Sequence, residues 1–174
     1  MKSRTFLVLL AATLVAAGRC AAQDKPDRED AATHSHHAGV DQRGDHVMGF
    51  SHEKTTHHFR LFADGGAIEV EANDPKDTAS RDLIRAHLGH IAQMFAAGDF
   101  NAPMLIHDRV PPGVTTLQQL KKEVTYQLEK TDRGGKVRIT TQNGEALKAV
   151  HDFLRFQITD HQTGDSLQVA EPKS

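Results

Sequence analysis

The chain has 174 residues, with 21 lysines and arginines against 23 aspartates and glutamates, a formal net charge of −2, 12 histidines and 1 cysteine. That length holds one domain with a real core plus extended ends. There is no basic block to follow a phosphate backbone, which argues against nucleic acid as a partner, and no later stretch approaches the roughly eighteen apolar residues of a membrane span.

Residues 1–22 start with Lys2 and Arg4, run apolar from Phe6 to Ala17 and reach small residues at Ala22, the pattern of a secretory signal peptide. The expected location is periplasmic. Cleavage after Ala22 would remove Cys20, and Arg19 stands where a lipid-attachment signal needs a small residue, so lipoprotein anchoring is not expected. Metal chemistry would then rest on His, Asp, Glu and Met.

Residues 23–46 are charged or small and read as a disordered leader carrying His34, His36 and His37. Such a cluster collects metal loosely, though a polar linker that happens to contain histidine is the plainer reading. A single domain is expected over 47–166, with 167–174 as a frayed tail.

Within that domain, 55–63 alternates as a strand with His57, Phe59 and Leu61 inward. Asp64-Gly65-Gly66 reads as a hairpin turn, and 67–72 returns with Ile68, Val70 and Ala72 inward. A helix follows over 80–97, capped by Asp77 or Ser80 and ended by Gly98. The crossover at 99–114 carries an extended piece around Met104–His107, then a short helix from Thr115 or Thr116. A second hairpin pairs Val124, Tyr126 and Leu128 with Val137, Ile139 and Thr141 across Asp132–Gly135, and Asn143 caps a helix over 144–161.

The order strand, glycine pair, strand, capped helix thus occurs twice. It predicts an α+β fold in which two ββα-like halves form a four-stranded antiparallel sheet with two long helices on one face. The outer sheet face, with Phe62 exposed in it, or a free sheet edge would be the surface for a homodimer.

Each long helix carries a histidine inside its apolar stripe, His87 in the first and His151 in the second, and the strand alternation points His57 to the same side. Three inward imidazoles suit zinc, copper, iron or nickel. His90, three residues from His87, and Met94, four beyond His90, would be auxiliary ligands, the thioether favouring copper. For any one of these histidines, a core ring bonded to a backbone carbonyl or carboxylate is the ordinary alternative. His151 and His161 lie about 15 Å apart along a straight helix and cannot share an ion, so His161 should line a pocket mouth or approach His107. Phe153 and Phe156 beside His151 would also suit a noncovalent haem.

The strings MGF (48–50), KTTHHF (54–59), DGG (64–66), HDFLRFQI (151–158) and DHQTGD (160–165) together resemble a family of small exported bacterial proteins over roughly 47–166. The resemblance implies export and a shared fold, and carries over no activity or site residue. The leading expectation is an exported copper- or zinc-binding protein for carriage or sensing through His57, His87 and His151. A metal- or haem-dependent enzyme, or His107 with Asp108 as an acid–base pair beside Arg85, Arg109 or Arg155, is the first alternative. A dimerising module with structural histidines is the second.

Overall fold

In the computed structural model, residues 39–170 are described. The expected signal peptide and the His34, His36 and His37 cluster lie outside them. The chain forms helix α1 over 39–48, then β1 (Thr55–Phe62), β2 (Gly65–Ala72), α2 (Thr78–Ala97), α3 (Asn101–His107), α4 (Val114–Gln119), β3 (Val124–Lys130), β4 (Gly134–Thr141) and α5 (Gly144–Asp160). The strands make one antiparallel sheet in the order β1-β2-β4-β3. The α+β architecture expected from the alternation is therefore the one observed.

Local chemistry explains the element ends. The Asp77 carboxylate accepts from Ser80 N–H at the start of α2, and Asn143 accepts from the Glu145 and Ala146 N–H groups at the start of α5. Gly98, at φ 81°, ends α2 in the left-handed conformation.

The glycine pairs play a different part from the one expected. Ala63 and Asp64 make the first turn, and Gly65 already pairs with Phe62 inside the sheet. The reason lies in the centre of the sheet, where Gly65 faces Thr140 and β2 runs against β4. A β-carbon on Gly65 would collide with the Ile139 carbonyl oxygen, and one on Gly134 with that of Val70. Gly66 leaves room for Leu154 of α5, while Leu88 of α2 rests on Gly135. Each long helix thus crosses to the other half, α2 lying mainly over β3 and β4 and α5 mainly over β1 and β2.

Three segments differ from expectation. Residues 39–46, read as the end of a disordered leader, are helical in α1, because Val40, Gly44, Val47 and Met48 recur at helical spacing and bury that face. Met104–His107 is helical in α3 rather than extended, since Pro103 falls in the first turn, where its missing N–H costs no bond. As far as Ala170 the tail docks instead of fraying: Ala170 N–H donates to Leu61 O, and the Asp165 carboxylate before it accepts from Phe59 N–H, covering the outer edge of β1.

On the outer sheet face Arg60 pairs with Glu69, Lys136 with Glu129 and Arg133 with Glu71. Phe62, expected to be exposed there, lies under the Arg138 guanidinium at 4.8 Å. No helix among the described residues is long and apolar enough to cross a membrane.

Candidate functional site

Between the sheet, α2 and α5, and roofed by α1 and α3, lies a cavity of about 70 Å³. Its walls are aliphatic and aromatic except for four imidazoles and one amide: His57 from β1, His87 from α2, His107 from α3, His161 at the end of α5, and Gln157. Met48 brings a thioether from α1. No aspartate or glutamate lines it.

His57 and His87 are held by aromatic packing. Phe50, just after α1, stacks on His57 with centroids 6.3 Å apart and meets His87 edge-on at 5.6 Å. Burial pushes both imidazoles down to about 4, and each is further lowered by a neighbouring histidine. At neutral pH both rings are uncharged, each carrying a nitrogen lone pair in apolar surroundings.

The opposite wall is a bonded network. Buried His107 donates from Nδ1 to Asp160 Oδ2 at 2.5 Å, and Arg109 holds the other carboxylate oxygen at 2.5 Å. His107 Nε2 lies 3.0 Å from Gln157 Oε1, which leaves Gln157 Nε2 buried without a partner. Whichever way that amide is turned, one of its polar atoms meets the ring and the other has no partner in the cavity wall. Burial lowers the His107 pKa, opposed by its bonds to Asp160 and Gln157. His161 stacks on His57 at 6.1 Å with the rings 2° from parallel, and meets His107 edge-on at 4.9 Å, so the expected closeness of His161 and His107 is observed.

Of the three imidazoles expected to converge, His57 and His87 do share the cavity. His151 lies elsewhere, its Nε2 donating to Phe62 O at 2.9 Å and Gly65 O at 3.1 Å, where it clamps the first hairpin. In α2 the same task falls to Arg85, which donates to Gly134 O at 2.9 Å and Thr131 O at 2.5 Å. The caps Asp77 and Asn143, the clamps Arg85 and His151, and the leucines over the glycine pairs, Leu88 and Leu154, all stand at one constant offset. At that offset His151 corresponds to Arg85, and His87 to Phe153. Aligning the two helices by apolar stripe alone slips by two residues, which is how the two histidines came to look equivalent.

His90 and Met94 line a separate cleft of about 220 Å³ that shares His87 with the cavity. The proposed His107–Asp108 pair is not formed: Asp108 is the left-handed residue closing α3, and the carboxylate beside His107 is Asp160. Arg85 and Arg155 bond to backbone carbonyls. Among the described residues no three His, Cys, Asp or Glu side chains are grouped to hold one metal ion. The volume of the cavity is also far below the ~300–1,000 Å³ of ordinary small-molecule pockets, and so below what a haem needs.

Sequence reasoning missed Met48, Phe50 and Gln157. The spacing of Val40, Gly44, Val47 and Met48 was the signal that would have added α1 and its thioether. Comparison of the chain with protein-family models, curated proteins and solved structures found no match.

Proposed function

We propose that the chain is an exported copper(I)-binding protein that holds the ion in the inner cavity through His57 and His87, with the Met48 thioether completing the donor set. The observation that carries this reading is the pair of uncharged imidazoles that share a largely apolar cavity with the Met48 thioether. Both rings are half-buried, set in an apolar wall that an incoming ion can reach.

The chemistry of the walls favours copper(I) over zinc. A dication wants three or four donors, usually with compensating charge, and here it would sit as an unneutralised double charge in an apolar cavity. Copper(I) has one charge, is satisfied by few ligands, and prefers imidazole and thioether. Export is supported by the N-terminal sequence pattern.

The enzymatic reading has less support, because His107 is engaged by Asp160 and Gln157 and offers no ring nitrogen to a substrate. The test is an anaerobic titration of the full chain, with His34, His36 and His37 replaced by serine, against a coloured copper(I) chelator. One tight equivalent is expected, lost in His57→Ala and in His87→Ala and kept in His151→Ala; zinc is not retained. A chain that cannot compete with the chelator, or whose affinity ignores both His57→Ala and His87→Ala, overturns the proposal.

A further inference from the structure

The two edges of the sheet are treated differently. Along a strand the backbone groups of alternate residues point to opposite sides, and in β1 those directed away from β2 are taken by the chain's own tail: Phe59 N–H donates to the Asp165 carboxylate, and Leu61 O accepts from Ala170 N–H. β3 is the other edge, with β4 as its one strand neighbour. Thr131 N–H donates to Gly134 O at 3.1 Å, which fixes the alternation along the uninterrupted β3–β4 pairing. Thr125, Gln127 and Glu129 turn their backbone groups to β4, whereas Val124, Tyr126, Leu128 and Lys130 turn theirs outward. Among the described residues no segment bonds to that outward row.

We infer that this row is a dimer interface: β3 pairs antiparallel with β3 of a second copy of the chain, about a two-fold axis through Gln127, and joins the two sheets into one. The strand is its own complement in that register. Val124 comes opposite Lys130 of the second copy and Tyr126 opposite its Leu128, so outward residues meet outward residues and every N–H in the row finds a carbonyl. On the inner face each half-buried Tyr126 gains a half-buried Leu128 as its cross-strand neighbour. On the outer face Gln127 meets Gln127 and Thr125 meets Glu129, so like charges do not face each other. Sliding the pairing by two residues leaves only Val124–Leu128 or Tyr126–Lys130 paired, and the first of these also sets Glu123 against Glu129. The helix above leaves room for the approach: the flank of α2 over this edge carries Gly89, set above Leu128, and then Gln93 and Ala96, none of them charged.

The interface is separate from the copper reading, because β3 lines neither the inner cavity nor the clefts beside it. Its most sensitive point is the contact of Thr125 with Glu129. The two form a non-hydrogen-bonded pair, the kind in which opposed side chains come closest, and the two-fold axis makes the contact twice.

The experiment is sedimentation equilibrium of the metal-free full chain over a range of concentrations, with Thr125→Glu and Thr125→Lys run beside it. Thr125 is exposed, and urea melts confirm that both variants keep their fold. A reversible dimer is expected, about tenfold weaker in Thr125→Glu, which sets carboxylate against carboxylate, and about tenfold tighter in Thr125→Lys, the gain shrinking in high salt. A parent that stays monomeric up to about 1 mM overturns the inference. A dimer that neither replacement changes also overturns it, since the contact would then use another surface. So does one that both weaken alike, because Thr125 would then not face Glu129. Each of these outcomes leaves the copper titration untouched, and a chain that binds no copper can still dimerise.

Discussion

The two hairpin–helix units use the same frame and fill it differently. In each, a helix donor grips two carbonyls of the opposite hairpin, Arg85 in one and His151 in the other. In each, a leucine packs over a glycine pair. Where the units diverge, the second places Tyr126 and Phe153 at the positions that hold His57 and His87 in the first. Phe153 packs edge-on against Phe95 and Phe100, both 5.9 Å away, and Tyr126 meets Phe95 at 5.7 Å. The second unit thus sets aromatic rings where the first sets imidazoles, and Phe95 and Phe153 form the far wall of the cavity that His57 and His87 line. Shared features report on the fold and divergent ones on the task, which is why His151, inside its apolar stripe, is part of the frame.

The comparison can be broken hardest at the shared centre. Gly65→Ala and Gly134→Ala should each cost about 3 kcal/mol or more in a urea titration, since the new methyl meets backbone that cannot move aside without parting β2 from β4. A loss confined to one of the two would mean that the halves are not equivalent there.

A pH titration of stability separates the two fillings. His57 and His87 are at about 4 in the folded protein and near 6.5 when unfolded, so between those values the unfolded chain holds more protons. Stability of the metal-free protein is then full above pH 6.5 and falls as pH drops toward 4, by roughly 3 kcal/mol for one such ring. Replacing both by Leu should remove most of that fall in a series of urea melts, leaving the part that buried His107 contributes. An unchanged slope after the replacement would locate the buried protons elsewhere.

The clamps come next. His151→Ala and Arg85→Ala each strip a donor from two hairpin carbonyls and should lower stability by about 1–3 kcal/mol, the former more because His151 is buried. Thermal melts of the two variants, with and without copper, should show the same copper-induced rise as the parent. The smallest effect expected is a gain: His57→Phe with His87→Phe, which gives the first unit aromatic rings without the buried hydroxyl of Tyr126, should add about 1 kcal/mol while abolishing copper binding. A variant that still binds copper would show that the imidazoles are not the donors.

Much of the fold was legible because its determinants are local. Alternation in the strands, the caps Asp77 and Asn143 and the stop at Gly98 are read within a few residues. The two-residue turn, by contrast, was hidden by glycines whose purpose is a collision avoided across the sheet. The site was half legible for the same reason. Strand alternation turned His57 inward and helical spacing turned His87 inward, but which end of the sandwich each helix histidine reaches depends on the crossing of α2 and α5. Nothing near His151 in sequence names the Phe62 and Gly65 carbonyls, and nothing near His107 names Asp160.

That crossing also sets a timetable for folding. Because α2 lies mainly over β3 and β4 while α5 lies mainly over β1 and β2, the first half buries only part of the inner face of its own strands. Its hairpin must wait for a helix made almost at the end of the chain, and for the Asp165 carboxylate and Ala170 that follow it. Native contacts of such long sequence separation form late and together. A chain halted before residue 144 has α1 to α4 and both hairpins and still no closed core, so it completes its structure only once the last segment has emerged.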